Sequence, residues 1–260
     1  MIPIEPVKAK SSPSSAGCVQ CKDDESLGFE FEFAYQPIID LRSRTIFAHE
    51  ALVRGPNQES AFSVLSQVND TNRYRFDQAC RIKAIYGAAR LGMQEMLPIN
   101  FLPNAVYRPE ACIQSTFKAA REVGFPIERI IFEVTEGEEV TDRPHLVNIF
   151  REYKRFGFRT AIDDFGAGYA GLTLLSEFQP DIIKIDMELV RNIDTSLARQ
   201  AIVHGIVSMC EPLNIRVLAE GIETPQERDF LHSAGIDLMQ GYLFCRPAFQ
   251  AIGKIDPESW

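Results

Sequence analysis

No stretch of this chain approaches the ~20 consecutive apolar residues of a membrane span, and residues 1–15 carry Pro and Ser without the apolar core of a secretory signal. A cytoplasmic protein is expected. Positive charge is also scarce: 27 Lys and Arg stand against 36 Asp and Glu, a formal net charge of -9, and the basic residues do not cluster. A grip on DNA or RNA through the phosphate backbone relies on such clusters, so no nucleic-acid partner is expected. The chain has only six cysteines. Cys80, Cys112, Cys210 and Cys245 fall in apolar patterns and read as free thiols of a reducing compartment. Cys18-Val19-Gln20-Cys21 has the spacing of a metal or redox pair, but no second pair or Cys/His partner follows nearby to complete four zinc ligands. The four histidines offer little: His49 alternates away from Glu50 along its strand, and His145, His204 and His232 lie on helix patterns.

What remains is enough for a full core, since 260 residues with 45% hydrophobic content need no staples. Residues 1–28 read as a flexible N-terminal leader carrying the C-x-x-C, residues 29–250 as one domain, and residues 251–260 as a C-terminal tail. Within the domain, strand-like and helix-like patterns alternate. Strands are expected over 31–39 and 45–53, joined by a turn, then ending at 99–101, and over 130–134, 159–162, 182–185, 216–219 and 238–244. Helices are expected over 73–91, 110–123, 144–156, 197–210 and 225–234. This order predicts an α/β fold with parallel pairing, and eight strands in one domain favour a closed barrel. The first two strands, joined by a short turn, are expected to be antiparallel.

In such barrels chemistry gathers at the carboxyl ends of the strands. There the pattern places Glu50, Asn100, Glu133, Asp163 with Asp164, Lys184, Glu220 and Gln240. Oxygen ligands from successive strand ends suit a hard divalent cation, and a tandem Asp pair suits two such ions side by side. Lys184 within Ile182-Ile183-Lys184-Ile185 would be buried, and a buried ammonium calls for carboxylates around it. Metal-assisted hydrolysis of a phosphate ester is the expectation.

These blocks, with Tyr35-Gln36-Pro37-Ile38, Glu50-Ala51-Leu52-Val53-Arg54, Phe132-Glu133-Val134-Thr135-Glu136, Asp163-Asp164-Phe165-Gly166, residues 181–186, Glu220-Gly221-Ile222-Glu223-Thr224 and Gln240-Gly241-Tyr242, resemble the EAL-domain cyclic di-GMP phosphodiesterases over about residues 29–249. The resemblance implies a TIM-type (β/α)8 barrel with one antiparallel strand. It implies hydrolysis of cyclic di-GMP to linear pGpG by water activated between two Mg2+ or Mn2+ ions. Metal ligands would be Glu50, Asn100, Glu133, Asp163, Asp164 and Glu220; Glu50, Lys184 and Glu220 would be catalytic. Gln36, Leu52, Arg54, Glu223, Gln240 and Tyr242 would line the substrate, and Glu136, Gly166 and Gly168 would support the loop. Ca2+, with its longer bonds, is expected to bind without productive turnover.

The chain departs from the family pattern at Ala167, Ala170 and Gly171, where hydroxyls are usual in a loop tied to dimer contacts, and at Gly55, where an aromatic is usual. A homodimer or a separate signalling partner both stay open. So do two rival readings: a non-catalytic cyclic di-GMP receptor or protein-interaction EAL domain, and a hydrolase of another phosphodiester. Retention of Glu50, Glu133 and Asp163 favours hydrolysis of cyclic di-GMP.

Overall fold

The structure, a computed structural model, describes residues 27–135, 142–167 and 171–260. The expected leader with Cys18 and Cys21, and the positions Glu136, Gly168 and Ala170, lie outside the described residues.

Eight strands close a barrel: β1 (Glu32–Asp40), β2 (Thr45–Arg54), β3 (Leu97–Asn100), β4 (Ile130–Thr135), β5 (Arg159–Phe165), β6 (Ile182–Ile185), β7 (Arg216–Ala219) and β8 (Leu238–Met239). Pairing is parallel from β2 to β8, while β1 runs antiparallel to both β2 and β8 and so shuts the ring. A short ninth strand, β9 (Ala248–Phe249), pairs with β1 at Ala34 and Tyr35, beyond the point where β8 ends. This is the TIM-type barrel with one antiparallel strand.

Helices α1 (Ala61–Leu65), α2 (Arg73–Arg90), α3 (Pro109–Cys112), α4 (Gln114–Val123), α5 (Arg143–Arg155), α6 (Gly171–Glu177), α7 (Met187–Val190), α8 (Leu197–Cys210) and α9 (Pro225–Ser233) fill the crossovers. They pack on the outward faces of the strands, where Phe101, Phe132, Phe150, Tyr153 and Phe158 form one aromatic cluster.

The barrel interior is layered. Ile38, Ala48, Ile131, Ala161, Ile182, Leu218 and Leu238 form a separate buried apolar plug. A strand side chain returns to the same face every two residues. Two residues toward the mouth from each plug residue therefore stand, in turn, Gln36, Glu50, Glu133, Asp163, Lys184, Glu220 and Gln240. The apolar plug supports the polar ring directly.

Three expectations differ from what folds. The strand expected over 238–244 stops at Met239, because the carbonyl of Gln240 accepts the N–H of Ile222 and the chain turns over the barrel mouth. The helix expected over 110–123 is broken at Ile113 into α3 and α4. Short helices α1, α6 and α7 were not anticipated: at four to seven residues they are too brief for a 3.6-residue period to show. Residues 251–260 lie against the barrel: Trp260 packs on the core, and Arg228 Nη1 donates to the carbonyl of Ser259 at 2.9 Å.

Candidate functional site

The mouth of the barrel is built around one ammonium group. Lys184 on β6 is completely buried, and its Nζ lies 2.8 Å from Glu220 Oε1, 3.1 Å from Glu133 Oε2, 3.1 Å from Asp163 Oδ1 and 3.4 Å from Glu50 Oε1. The neighbouring carboxylates outweigh burial and raise the Lys184 pKa well above its ordinary value, so it stays charged. Burial pushes the carboxyls of Glu133 and Glu220 well up despite that ammonium. Asp164 is pushed up to about 6 by burial, with Asp163 and Asp186 adding to it.

Glu50 is pinned from both sides. Gln240 Nε2 donates to its Oε2 at 2.8 Å, and Asn100 Nδ2 to its Oε1 at 3.3 Å. Consecutive residues of a regular strand face opposite ways, yet Asp163 and Asp164 both reach the cleft. The cause is an irregularity in the β5–β6 register between Ile162 and Phe165, with Asp164 in the left-handed region at φ 53°. Asp tolerates that conformation better than most side chains, and such bulges re-aim side chains next to functional sites. The Asp164 N–H donates to Asp163 Oδ1 at 2.9 Å, which steadies the turn.

Two sets of ligand oxygens result: Glu50, Glu133 and Asp163, and Asp163, Asp164 and Glu220, each set within 4.8 Å. Asp163 belongs to both. Four carboxyls crowd one ammonium; ionised together they would carry an excess of negative charge that hard divalent cations would neutralise, and the all-oxygen donor set fits such ions.

Above these oxygens lies a two-lobed cleft. One lobe, about 340 Å³, is largely apolar and is bounded by Phe33, Arg54, α1 residues Ala61 and Leu65, and Phe101. The other, about 310 Å³, is lined by Gln36, Asp164, Glu220, Glu223, Gln240 and Tyr242. Glu50, Leu52 and Asp163 form the shared floor. Gln36 is held by donating Nε2 to the carbonyl of Cys245 at 3.2 Å, and Arg54 Nη1 donates to the carbonyl of Val53 at 2.7 Å. Tyr242 is half exposed at the rim, with the Arg246 guanidinium 4.1 Å from its ring centre. Gly166 follows the Asp pair at the end of β5. His49 faces away from the cleft and is buried, its Nε2 3.7 Å from Glu95 Oε2.

Sequence reasoning passed over Glu227 and Arg191. Glu227 on α9 is buried, and its carboxylate accepts the N–H groups of Asn192, Glu223 and Thr224 at 2.9, 2.9 and 3.1 Å. It thus ties the turn that follows α7 to the turn that carries Glu220 and Glu223. The signal was present as Thr224-Pro225-Gln226-Glu227, a capping-box spacing, and both capping-box contacts form. Arg191 makes a forked pair with Glu223 at 2.8 Å on each arm and holds that carboxyl below the ordinary range. No sequence pattern marks that pair, because its members are 32 positions apart.

The family model described as EAL domain matches residues 24–247, and the chain belongs to that family. Among solved structures, a standalone versatile EAL protein from Vibrio cholerae O395, in its c-di-GMP-bound form, is 52% identical with a TM-score of 0.88, covering 90% of this chain and 99% of that one. BlrP1 of Klebsiella pneumoniae, solved with manganese and cyclic di-GMP, is 39% identical with a TM-score of 0.82, over 86% of this chain and 58% of that one. The blue light- and temperature-regulated antirepressor BluF of Escherichia coli K12 is 37% identical over 86% of this chain, and the cyclic di-GMP phosphodiesterase NbdA of Pseudomonas aeruginosa is 28% identical over 84%. The chain spans 56% of the length of BluF and 29% of NbdA.

Proposed function

We propose that this protein is a divalent-metal-dependent phosphodiesterase that opens cyclic di-GMP to linear pGpG. The observation that carries this reading is the pair of carboxylate sets joined through Asp163 beneath a two-lobed cleft. A cyclic dinucleotide has two bases flanking a phosphate ring, and a cleft with two lobes over one acidic floor suits that shape. The structures of relatives bound to cyclic di-GMP support the choice of ligand.

Glu50, Asn100, Glu133 and Asp163 would hold one ion, and Asp163, Asp164 and Glu220 a second. When bound, Mg2+ or Mn2+ supplies Lewis acidity to the phosphate oxygens and to water. Lys184 Nζ orients the attacking water and favours its loss of a proton. Glu220, with Oε1 anchored on Lys184, is the acceptor of that proton. The water oxygen bonds to phosphorus, one P–O3′ bond breaks, the departing 3′-oxygen takes a proton from solvent as Glu220 returns its own to solvent, and the products are a 5′-phosphate and a free 3′-hydroxyl. Arg54 reaches the apolar lobe with guanidinium N–H groups suited to a phosphate oxygen. Gln36, Leu52, Glu223, Gln240 and Tyr242 line the nucleotide.

The test is incubation with cyclic di-GMP and Mn2+, with products resolved by chromatography. The expected product is pGpG. Binding without pGpG would favour the second reading, a non-catalytic receptor or protein-interaction EAL domain, which the similarity to an antirepressor keeps in view.

A further inference from the structure

Arg81, in the middle of α2, is completely buried, and so is the carboxylate of Asp77 one turn before it. Arg81 Nη2 lies 2.8 Å from Asp77 Oδ2, and Nη1 donates to Tyr153 Oη on α5 at 2.7 Å. The guanidinium carbon stands 4.9 Å from the ring centre of Phe132, and 5.5 Å from those of Phe101 and Tyr153. Asp77 Oδ1 accepts the N–H of Leu102 at 2.9 Å.

Three of these contacts, to Phe101, Phe132 and Leu102, bear on the ends of β3 and β4. Phe101 directly follows Asn100, and Phe132 directly precedes Glu133. The Phe101 N–H also donates to the carbonyl of Glu133 at 3.0 Å. Asn100 and Glu133 face the barrel mouth, so their neighbours Phe101 and Phe132 face outward, onto one guanidinium. Leu102, two residues after Asn100, is held by the paired carboxylate.

A buried ion pair is a poor means of stabilising an interface between a helix and a barrel. Desolvation offsets most of the attraction, and well-packed apolar residues of similar volume serve as well or better. Here the pair is also incompletely satisfied, since Arg81 Nε finds no hydrogen-bond acceptor among the described residues. What a guanidinium provides and an aliphatic chain does not is direction: a planar fork fixes its carboxylate and hydroxyl partners and stacks on ring faces.

We propose that Arg81 and Asp77 are positioning residues that set the spacing of Asn100 and Glu133 at the metal-binding mouth. This rests on the metal-dependent reading above. Neither residue touches the ligand oxygens; they act through Phe101, Phe132 and Leu102. Groups that hydrogen-bond metal ligands directly change metal affinity by about 10- to 100-fold when removed, and contacts one residue further out are expected at the lower end of that range.

The test measures Mn2+ binding by calorimetry without substrate, so that the position of Asp77 at the edge of the apolar lobe does not enter. Thermal unfolding of the metal-free protein is followed in parallel. The double variant Asp77→Leu/Arg81→Met is expected to unfold within a few degrees of the wild type, yet to bind Mn2+ at least about tenfold more weakly. Arg81→Lys, which keeps the charge and loses the fork, is expected to fail to restore binding. Wild-type Mn2+ affinity in a folded double variant would make the pair merely structural and overturn the proposal. Should the double variant not fold, Tyr153→Phe decides: it removes one arm of the fork, and a smaller but measurable loss of Mn2+ affinity is expected, whereas none overturns the proposal. A wild type that binds no Mn2+ would instead overturn the proposed function, and this inference with it.

Discussion

Lys184 Nζ sits 2.8 Å from Glu220 Oε1, deep in the barrel, and is shared with three further carboxylates. A group with no solvent contact and four acidic neighbours is both the hub of the site and the counter-charge at its centre. Lys184→Met is expected to lower turnover by more than about 100-fold and to destabilise the metal-free protein by about 3 kcal/mol, since it strands carboxylates that were paired. Chromatographic assay and thermal unfolding read the two effects separately, and wild-type turnover would remove Lys184 from the mechanism.

Glu50 tests the ligand assignment. It is held by Gln240 and Asn100, and an amide at this position keeps much of that geometry while losing the charge a cation needs. Glu50→Gln is therefore expected to fold normally, to bind Mn2+ at least about tenfold more weakly, and to hydrolyse cyclic di-GMP poorly. Near-normal rates would show that Glu50 does not hold the metal.

Metal loading should be visible without substrate. On the proposed reading Mn2+ or Mg2+ would relieve the repulsion among the clustered carboxylates and bind only the folded state, so each is expected to raise Tm, by an amount that grows with ion concentration. Ca2+ is expected to raise Tm as well but to support little pGpG formation, because it prefers bonds of about 2.3–2.6 Å and looser coordination. Equal rates with Ca2+ and Mn2+ would rule out a tight two-ion geometry.

Gly241 carries the turn that brings Gln240 and Tyr242 over the cleft. A Cβ there would lie 2.0 Å from the carbonyl oxygen of Ile222 and 2.4 Å from its nitrogen, both backbone atoms that cannot rotate away. Gly241→Ala is expected to destabilise the protein by about 2 kcal/mol or more and to raise KM as the polar lobe deforms. A variant with unchanged Tm and KM would mean that the turn moves freely.

At the outer rim, Arg191 grips Glu223 with both arms. Arg191→Gln frees that carboxylate to rotate. The expected result is a several-fold higher KM for cyclic di-GMP with kcat nearly unchanged, because Glu223 lies among the lining groups and belongs to neither carboxylate set. A fall in kcat alone would place the pair in the chemistry instead.

Much of the site was legible because strands repeat every two residues. An apolar strand ending in a single polar residue, as in Ile130-Ile131-Phe132-Glu133, marks which side chain faces the mouth once the barrel is accepted. Lys184 was legible for the complementary reason, since a cation inside an apolar strand is costly without acidic neighbours. The pair Asp163 and Asp164 shows the limit. Both were named from sequence, but regular alternation would have turned one of them outward; only the bulge and the φ of 53° at Asp164 bring both to the cleft. Gln240 was placed at a strand end, yet the strand expected beyond it gave way to a turn that local propensity does not reveal.

The amino-acid order by itself determined the barrel strands and the long helices, the alternation that builds a parallel barrel, and the polar side chains at the strand ends. Those are properties of neighbours along the chain. Tertiary structure alone decided the shape of the two lobes, the Arg191–Glu223 fork, the anchoring of two turns by Glu227, and the burial of Arg81 against the rings beside Asn100 and Glu133. Each of these joins groups from different crossovers. Their partners are chosen by how helices pack on a closed barrel, and no local period along the chain records that choice.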